Sequence, residues 1–520
     1  MASPSEKLAQ SLDALKKLQD QGIVAIRTSN ITRTHRERLL KNGFIQEVMK
    51  GWYIPTHPDE PAGESTAWYA SFWDFAVNYL NSRFDDQWCL APEQSIRLHI
   101  GDRTVPRQLL VRSPKGGNKP IGLLHDTSIF DLRLEVSDKA EDIVTMEGLR
   151  IMSLPTALIT CSPNQYTNHP IEMRAALSSI SDASDILRKL LAGNHSTVAG
   201  RLAGAFRNIG REAIADTITE TMRSAGYTVN ETDPLEDKSV INFSSREVLP
   251  YVNRLKIIWG TFREPIIEHF PPAPSLTGNK LATNKQAYLQ ELDDIFVTDA
   301  YHSLSIEGYR VSEELIERVR KDNWNPDETE DREHQNAMAA RGYWQAFQAV
   351  RNSIENILDG DNAGEIANKD HGTWYRELFS PSVVAGIIEA ADLAGYRNRP
   401  VYIRNSMHTP PNWEAIRELI PTFFELLENE NNPAVRVVLG HFVFVYIHPY
   451  VDGNGRMGRF LMNAMAASGG YSWLVVPVEK RDEYMSALEA ASVNQDIVPF
   501  TQFLAELINN PKIKEQSGSS

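Results

Sequence analysis

The sequence predicts a mostly α-helical protein with a smaller α/β region at its amino-terminal end, and three observations carry that prediction. From about residue 285 onward, apolar side chains recur at three- and four-residue spacing in one segment after another. Residues that start and stop helices punctuate those segments, with Asn432-Pro433 ahead of one and Gly469-Gly470 closing another. Strand-like stretches, by contrast, lie in the first third of the chain.

The 520 residues leave room for about two to four domains. At 42% hydrophobic and 23% charged, the chain reads as soluble and globular. No apolar run approaches the roughly 20 residues that cross a bilayer, and the opening "MASPSEKLAQSLDALKKLQDQG" lacks the apolar stretch of an export signal. No membrane partner is expected. Cys89 and Cys161 show no disulfide or metal spacing, so a reducing, cytoplasmic setting is the expectation. A net charge of −15 argues against wholesale coating of nucleic acid, but residues 1–50 carry nine Lys/Arg against five Asp/Glu.

That basic opening has a recognisable outline. "SEKLAQSLDALKKLQ" is amphipathic at helical spacing, and "GIVAIRT" is short and β-branched. "SNITRTHRERLLKNGF" offers Thr28 or Ser29 as a helix cap and closes on Asn42-Gly43. "IQEVMKGWYIPT" alternates as two strands turning at Lys50-Gly51. Helix followed by hairpin is the outline of a winged helix, which puts Arg33, His35, Arg36 and Arg38 on or beside a recognition helix. DNA contact through residues 1–60 and protein interaction both fit it.

Farther on, "WCLAPEQSIRLHIG", "RQLLVRSP" and "SIFDLRLEVS" read as strands, and 170–225 reads as helical. Gly200 and Gly204, one turn apart, predict close helix packing; no Gly-Lys-Ser/Thr follows, which excludes a phosphate loop there. "HFPPAPSLTGNK" marks a linker. The resulting division is a winged-helix-like domain at 1–60, a mixed α/β domain at 61–165 and a helical connector at 166–268. A linker at 269–284, a helical domain at 285–510 and a disordered tail at 511–520 complete it.

One stretch is too glycine-rich and polar for a core: "HPYVDGNGRMGR", residues 448–459, between the predicted helices "NNPAVRVVLGHFVFVYI" and "RMGRFLMNAMAASGG". Its glycines sit at the second helix's N-terminus, where unpaired N–H groups and the helix dipole favour phosphate. Gly453, Asn454 and Gly455 let the backbone wrap an anion, and Arg456 and Arg459 share one helix face from which each can fork onto phosphate oxygens. Asp452 supplies the single carboxylate that Mg2+ (or Mn2+) uses beside substrate phosphates. His448 can take a proton from an incoming hydroxyl. Gly453-x-Gly455-x-x-Gly458 also fits a dinucleotide fingerprint, but five residues separate it from the preceding apolar run and no β–α repeat surrounds it.

The twelve residues resemble the signature of the Fic family, H-x-F-x-D/E-G-N-G-R-x-x-R, at every polar position, with Tyr450 where phenylalanine is usual. The resemblance covers roughly 270–510. "RPVYIRNSMHTPPNWEAI", 399–416, is similar to the family's β-hairpin flap, so Val401, Tyr402, Ile403, Arg404 and His408 would dock an extended target segment. Tyr484 falls where an aromatic lines the nucleoside pocket; Ser492 replaces an asparagine. "SLSIEG", 303–308, resembles the inhibitory motif S/T-x-x-x-E-G/N, in which Ser303, Glu307 and Gly308 would bring a carboxylate onto Arg459.

The resemblance implies a protein adenylyltransferase, moving AMP from ATP to a Ser, Thr or Tyr hydroxyl of an unidentified target protein, or of itself. His448 would be the base and Asp452 the metal ligand. Gly453, Asn454, Gly455 and Arg456 would hold the α- and β-phosphates and Arg459 the γ-phosphate. Two alternatives stay open: a deAMPylase in which Glu307 orients water, and a DNA-binding regulator whose domain only binds ATP. A homodimer also fits. The amino-terminal 200 residues, including "MEGLRIMSLPTALI", are loosely similar to winged-helix antitoxins of abortive-infection systems (the AbiEi type).

Overall fold

The computed structural model describes residues 3–58, 63–235, 249–274, 285–321 and 331–509, with only the backbone described at 331–333 and 392. The expected tail at 511–520 lies outside these residues, as does most of the linker at 269–284. The chain divides into two compact units, Met1–Arg254 with Tyr402–Thr409, and Leu255–Val401 with Pro410–Ser520.

In the first unit, α1 (Pro4–Asp20) opens on a capping box in which Ser3 Oγ accepts from the Glu6 N–H and Glu6 accepts from the Ser3 N–H. β1 (Ile26–Arg27), α2 (Arg33–Lys41) and the hairpin of β2 (Ile45–Met49) and β3 (Trp52–Pro55) follow, in sheet order β1-β3-β2. The cap of α2 is Thr32, not Thr28 or Ser29. Asn30 explains the shift: its Oδ1 accepts from the Arg27 N–H at 2.7 Å, closing a turn over 27–30 before the helix can start. The basic residues of α2 bond locally. Arg33 pairs with Glu37, Arg38 donates to Lys7 O and Ser11 Oγ, and Arg36 lies over the Tyr53 ring.

α3 (Thr66–Phe84) buries Trp68, Phe72, Phe75 and Leu80 in one core with Leu109, Val111 and Ile129 of a second sheet. That sheet runs β4-β5-β7-β6, from β4 (Cys89–Leu90), β5 (Gln108–Ser113), β6 (Pro120–Gly122) and β7 (Ser128–Arg133), with β5 and β7 parallel. Residues 88–101, expected as a strand, give only the two-residue β4 and then α4 (Pro92–His99). Pro92 at the first helical position presets the helical φ and ends the strand. β8 (Ile143–Met146) and β9 (Leu149–Met152) form a hairpin. Helices α5 (Leu154–Thr160), α6 (Asn164–Asn168), α7 (Pro170–Ser178), α8 (Ser184–Ala192), α9 (Ser196–Asn208) and α10 (Glu212–Ser224) complete the series. Gly200 and Gly204 do serve a close approach, but not of a helix. A Cβ at either would fall 1.9 Å from Asn230 O or 2.2 Å from Thr232 O, so a returning extended segment crosses α9 there.

Tyr402–Thr409 clusters with this first unit, where Val105 N–H donates to Met407 O at 3.0 Å and Asn405 Oδ1 accepts from the Ser65 N–H at 3.1 Å. Residues 399–416 contain no strand, so the expected β-hairpin flap is not formed. Two short strands with no third neighbour are marginal in water.

The second unit has helices and no strand among its described residues. The unit boundary falls within α11 (Pro250–His269), and α12 (Lys285–Ile306), α13 (Glu313–Arg320), α14 (Asp331–Leu358), α15 (Ala363–Val384) and α16 (Ile416–Asn429) follow. α17 (Pro433–Ile447) starts as expected, with Asn432 Oδ1 accepting from the Ala434 and Val435 N–H groups and Pro433 at the first helical position. It is apolar on every face and nearly all buried, making it a core helix. α18 (Asn454–Gly469) closes on left-handed Gly470, and α19 (Arg481–Val493) and α20 (Val498–Asn509) pack on each other, with α20 also against α17. No described helix is long and apolar enough to cross a membrane.

Candidate active site

α17 ends at Ile447, and the chain must turn at once, with six residues between it and the start of α18. His448 makes that turn in the left-handed region, φ 54° and ψ 59°, its N–H still bonded to Phe444 O. Its Nδ1 lies 3.1 Å from Val445 O. A carbonyl only accepts, so Nδ1 carries the proton and Nε2 keeps its lone pair. Burial pushes the imidazole pKa down to about 4 and the Arg397 cation adds to this, against Val445 O, Glu307 and Asp452. The ring is a neutral base at physiological pH.

The glycine-rich loop is braced from inside. Asn454 Oδ1 accepts from the Tyr450 N–H and its Nδ2 donates to Tyr450 O, both at 2.9 Å. Both ends of the Asn454 amide therefore brace the loop, one bond at each. Tyr450 keeps the aromatic packing of the motif by stacking on Tyr375 at 3.7 Å. Gly453 caps α18 at φ 81°, and a Cβ there would fall 2.6 Å from the Phe379 ring. No side chain caps the first N–H groups of α18. Asp452 accepts from the Gly453 N–H at 2.6 Å and stands 3.3 Å from Arg456, with its carboxylate 62% exposed.

An anion already rests on this helix start, and it belongs to the protein. Glu307 Oε1 accepts from Arg459 Nη2 at 2.7 Å, and a Cβ on Gly455 would fall 2.4 Å from that same oxygen. Burial acts to raise the Glu307 pKa, but Arg459 and Arg456 outweigh it and hold the carboxyl below its usual range. Ser303, one turn back on α12, supports the pair, its Oγ accepting from Arg459 Nε at 2.8 Å and its carbonyl from Nη2 at 3.1 Å. Arg459 Nη1 is buried with no hydrogen-bond partner among the described residues. Gly308 ends the helix in the left-handed region, φ 90°.

Three supports around the arginines escaped the sequence reading. The Arg456 guanidinium lies over the rings of Tyr309 and Phe379, 5.3 and 4.9 Å from their centroids. Behind Arg459, Tyr343 donates to Asp299 at 2.6 Å, and burial pushes the Asp299 pKa up to about 6. Asp299 lies four residues before Ser303, so helical spacing could have singled it out; for Phe379 the sequence holds no such signal.

Tyr484 stands beside Arg459 and Glu307 but is 1% exposed, its hydroxyl bonding His441 at 2.7 Å inside the packing of α17, α19 and α20. Ser492 Oγ bonds back to Leu488 O. In the 401–408 segment, Val401 and Ile403 are half-buried and alternate with exposed Tyr402 and Arg404, while His408 is buried. No group of three or more His, Cys, Asp or Glu able to hold a metal occurs among the described residues.

Comparison with known proteins matches residues 372–466 to the Fic/DOC family. Three proteins named protein adenylyltransferase Fic, from Drosophila virilis, Drosophila willistoni and Drosophila melanogaster, are 29%, 28% and 28% identical to this chain over 226 residues. The match covers 43% of this chain and 41%, 40% and 41% of theirs, so the chain spans about two-fifths of the length of these relatives. Among solved structures, Fic-1 from C. elegans is 20% identical with a TM-score of 0.36, covering 62% of this chain and 97% of that one. A Fic family protein from Desulfovibrio desulfuricans G20 is 20% identical with a TM-score of 0.32, covering 52% and 75%.

Proposed function

We propose, for a chain that carries a Fic domain at residues 372–466, that it transfers AMP from ATP to a hydroxyl of a protein target and that Glu307 holds this activity off. The observation that supports it best is the carboxylate on the α18 N-terminus, beside a neutral histidine whose Nε2 has no hydrogen-bond partner among the described residues. A helix start that binds the protein's own anion through Arg459, with an unpaired Arg459 donor left over, suits the outer phosphates of a nucleoside triphosphate.

With Glu307 withdrawn, the amides of Gly453 and Gly455 and the two arginines would receive the phosphates. The α-phosphorus would then lie toward His448. A Ser, Thr or Tyr hydroxyl attacks that phosphorus, His448 Nε2 takes the hydroxyl proton, and the bond to the bridging oxygen breaks as pyrophosphate leaves. Charge gathering on pyrophosphate is met by Arg456 and Arg459, fixed in place before the reaction. Asp452 is exposed, single and next to the phosphate nest, a donor set that fits Mg2+ riding on the triphosphate. Bound there, the ion would neutralise phosphate charge. Val401, Tyr402, Ile403, Arg404 and His408 are the proposed docking segment for the target.

Glu307 blocks this arrangement by filling the site of the outer phosphates, so a triphosphate is excluded or its α-phosphate misplaced. Incubation with ATP labelled on its α-phosphate tests the reading. Glu307→Gly should raise covalent labelling of the protein itself or of added lysate by at least about tenfold. Equal labelling by parent and variant would remove the brake, and no labelling by either would remove the transferase.

A further inference from the structure

A buried arginine outside the signature bridges two parts of the proposed site. Arg397 is 4% exposed, and its acceptors are main-chain carbonyls throughout. Nε donates to His448 O at 2.8 Å and Nη2 to Ile447 O at 3.4 Å. Its own N–H donates to Pro449 O at 2.9 Å. The other hydrogen bonds reach the segment around residues 400–410 from both sides: Nη1 to Arg399 O at 3.2 Å and Nη2 to Pro411 O at 2.5 Å.

Two physical needs meet in this side chain. α17 ends in carbonyls without helical partners and carries the negative end of the helix dipole, so a cation is favoured there. His448 sits in a left-handed conformation that non-glycine residues adopt only when surrounding contacts hold it. The planar, forked guanidinium can serve carbonyls on several sides at once, which an ammonium cannot. The preceding residue is anchored too, as Tyr396 OH lies 2.8 Å from His371 Nε2 of α15.

We infer that Arg397 is a positioning residue of the transfer reaction, holding the backbone of His448 in register with the carbonyls of Arg399 and Pro411. The inference rests on the transferase reading above. Arg397 touches neither nucleotide nor target; it acts through the base it orients. Misplacing that base should slow the chemical step while leaving ATP binding on α18 intact.

The test uses the full chain in the Glu307→Gly background, with self-labelling from α-phosphate-labelled ATP as the rate. Binding sites are counted by calorimetric titration with a non-hydrolysable ATP analogue, and kcat is expressed per competent site. Arg397→Lys should lower kcat about tenfold and Arg397→Gln about a hundredfold, with KM for ATP within about threefold of the background. A kcat per site within twofold of the background in both variants would overturn the inference. So would a KM that rises in step with the loss of rate, or variants that lose their binding sites altogether, since Arg397 would then serve the fold and not the base. Absence of labelling in Glu307→Gly itself, with Arg397 intact, would instead strike the transferase reading.

Discussion

Helices α2 and α18 both carry arginine in their first turn, against the preference of a helix dipole, and they resolve the conflict in opposite ways. α2 starts Arg33-Thr34-His35-Arg36, and Thr32 caps its N–H groups while Glu37 pairs with Arg33 out in solvent. The paired side chains are 82% and 58% exposed. α18 starts Asn454-Gly455-Arg456, with no side-chain cap, and Arg456 and Arg459 are nearly inaccessible. Their partners come from far along the chain: Glu307, Ser303, Tyr309 and Phe379. Exposed arginines at a capped helix start are self-contained, whereas buried arginines at an uncapped one form a site that some anion must fill.

The largest effect that would sharpen this contrast is at the end of α17. His448→Ala should cut AMP transfer by about 10²–10⁴-fold, while affinity for a non-hydrolysable ATP analogue, read by calorimetry, stays within a few-fold. Transfer at the parent rate would place the base elsewhere.

Next comes the buried carboxylate behind Arg459. Asp299 has its pKa raised to about 6 by burial, so the stability it contributes is full below about pH 4 and is lost as pH rises through 6. Asp299→Asn should therefore gain on the parent between pH 4 and 7, by about 2–3 kcal/mol, in urea-unfolding midpoints at the two pH values. A constant difference would show that Asp299 does not titrate there.

Glu307→Gly leaves Arg459 without its carboxylate. The nucleotide-free variant should lose about 2 kcal/mol, less than the roughly 3–5 of a fully enclosed pair because Glu307 is partly exposed. ATP should stabilise the variant more than it does the parent, as thermal unfolding with and without nucleotide would show. On α2 the effects are the smallest. Thr32→Ala should cost about 1 kcal/mol through the lost cap, and Arg33→Ala should leave the unfolding midpoint unchanged within error. A large loss from Arg33→Ala would erase the contrast between the two helices.

Much of this was legible beforehand because it is local. Asn432-Pro433, Gly469-Gly470 and the apolar spacing of 435–446 each act within a turn or two, and α17 and α18 run where those signals placed them. Residues 88–101 misled for a local reason as well, since a short apolar run suits strand and helix alike until Pro92 is weighed. The hairpin expected at 399–416 rests on the family resemblance; burial alternates at Val401–Arg404, but no neighbouring strand pairs with it. The resemblance puts Tyr484 at the nucleoside pocket, and packing buries it beside Arg459; Asn454 bonds both the N–H and the carbonyl of Tyr450 in the loop.

By itself the sequence determined a helical unit, a glycine-bearing turn between two of its helices, and a histidine, an acid and two arginines brought together there. All of these follow from spacing and backbone freedom over twelve residues. Tertiary structure alone decided the two rings on Arg456, the Asp299–Tyr343 support and the hold of Arg397 on the loop. Those depend on which groups lose water together, and burial is a property of the packed chain that no short stretch encodes.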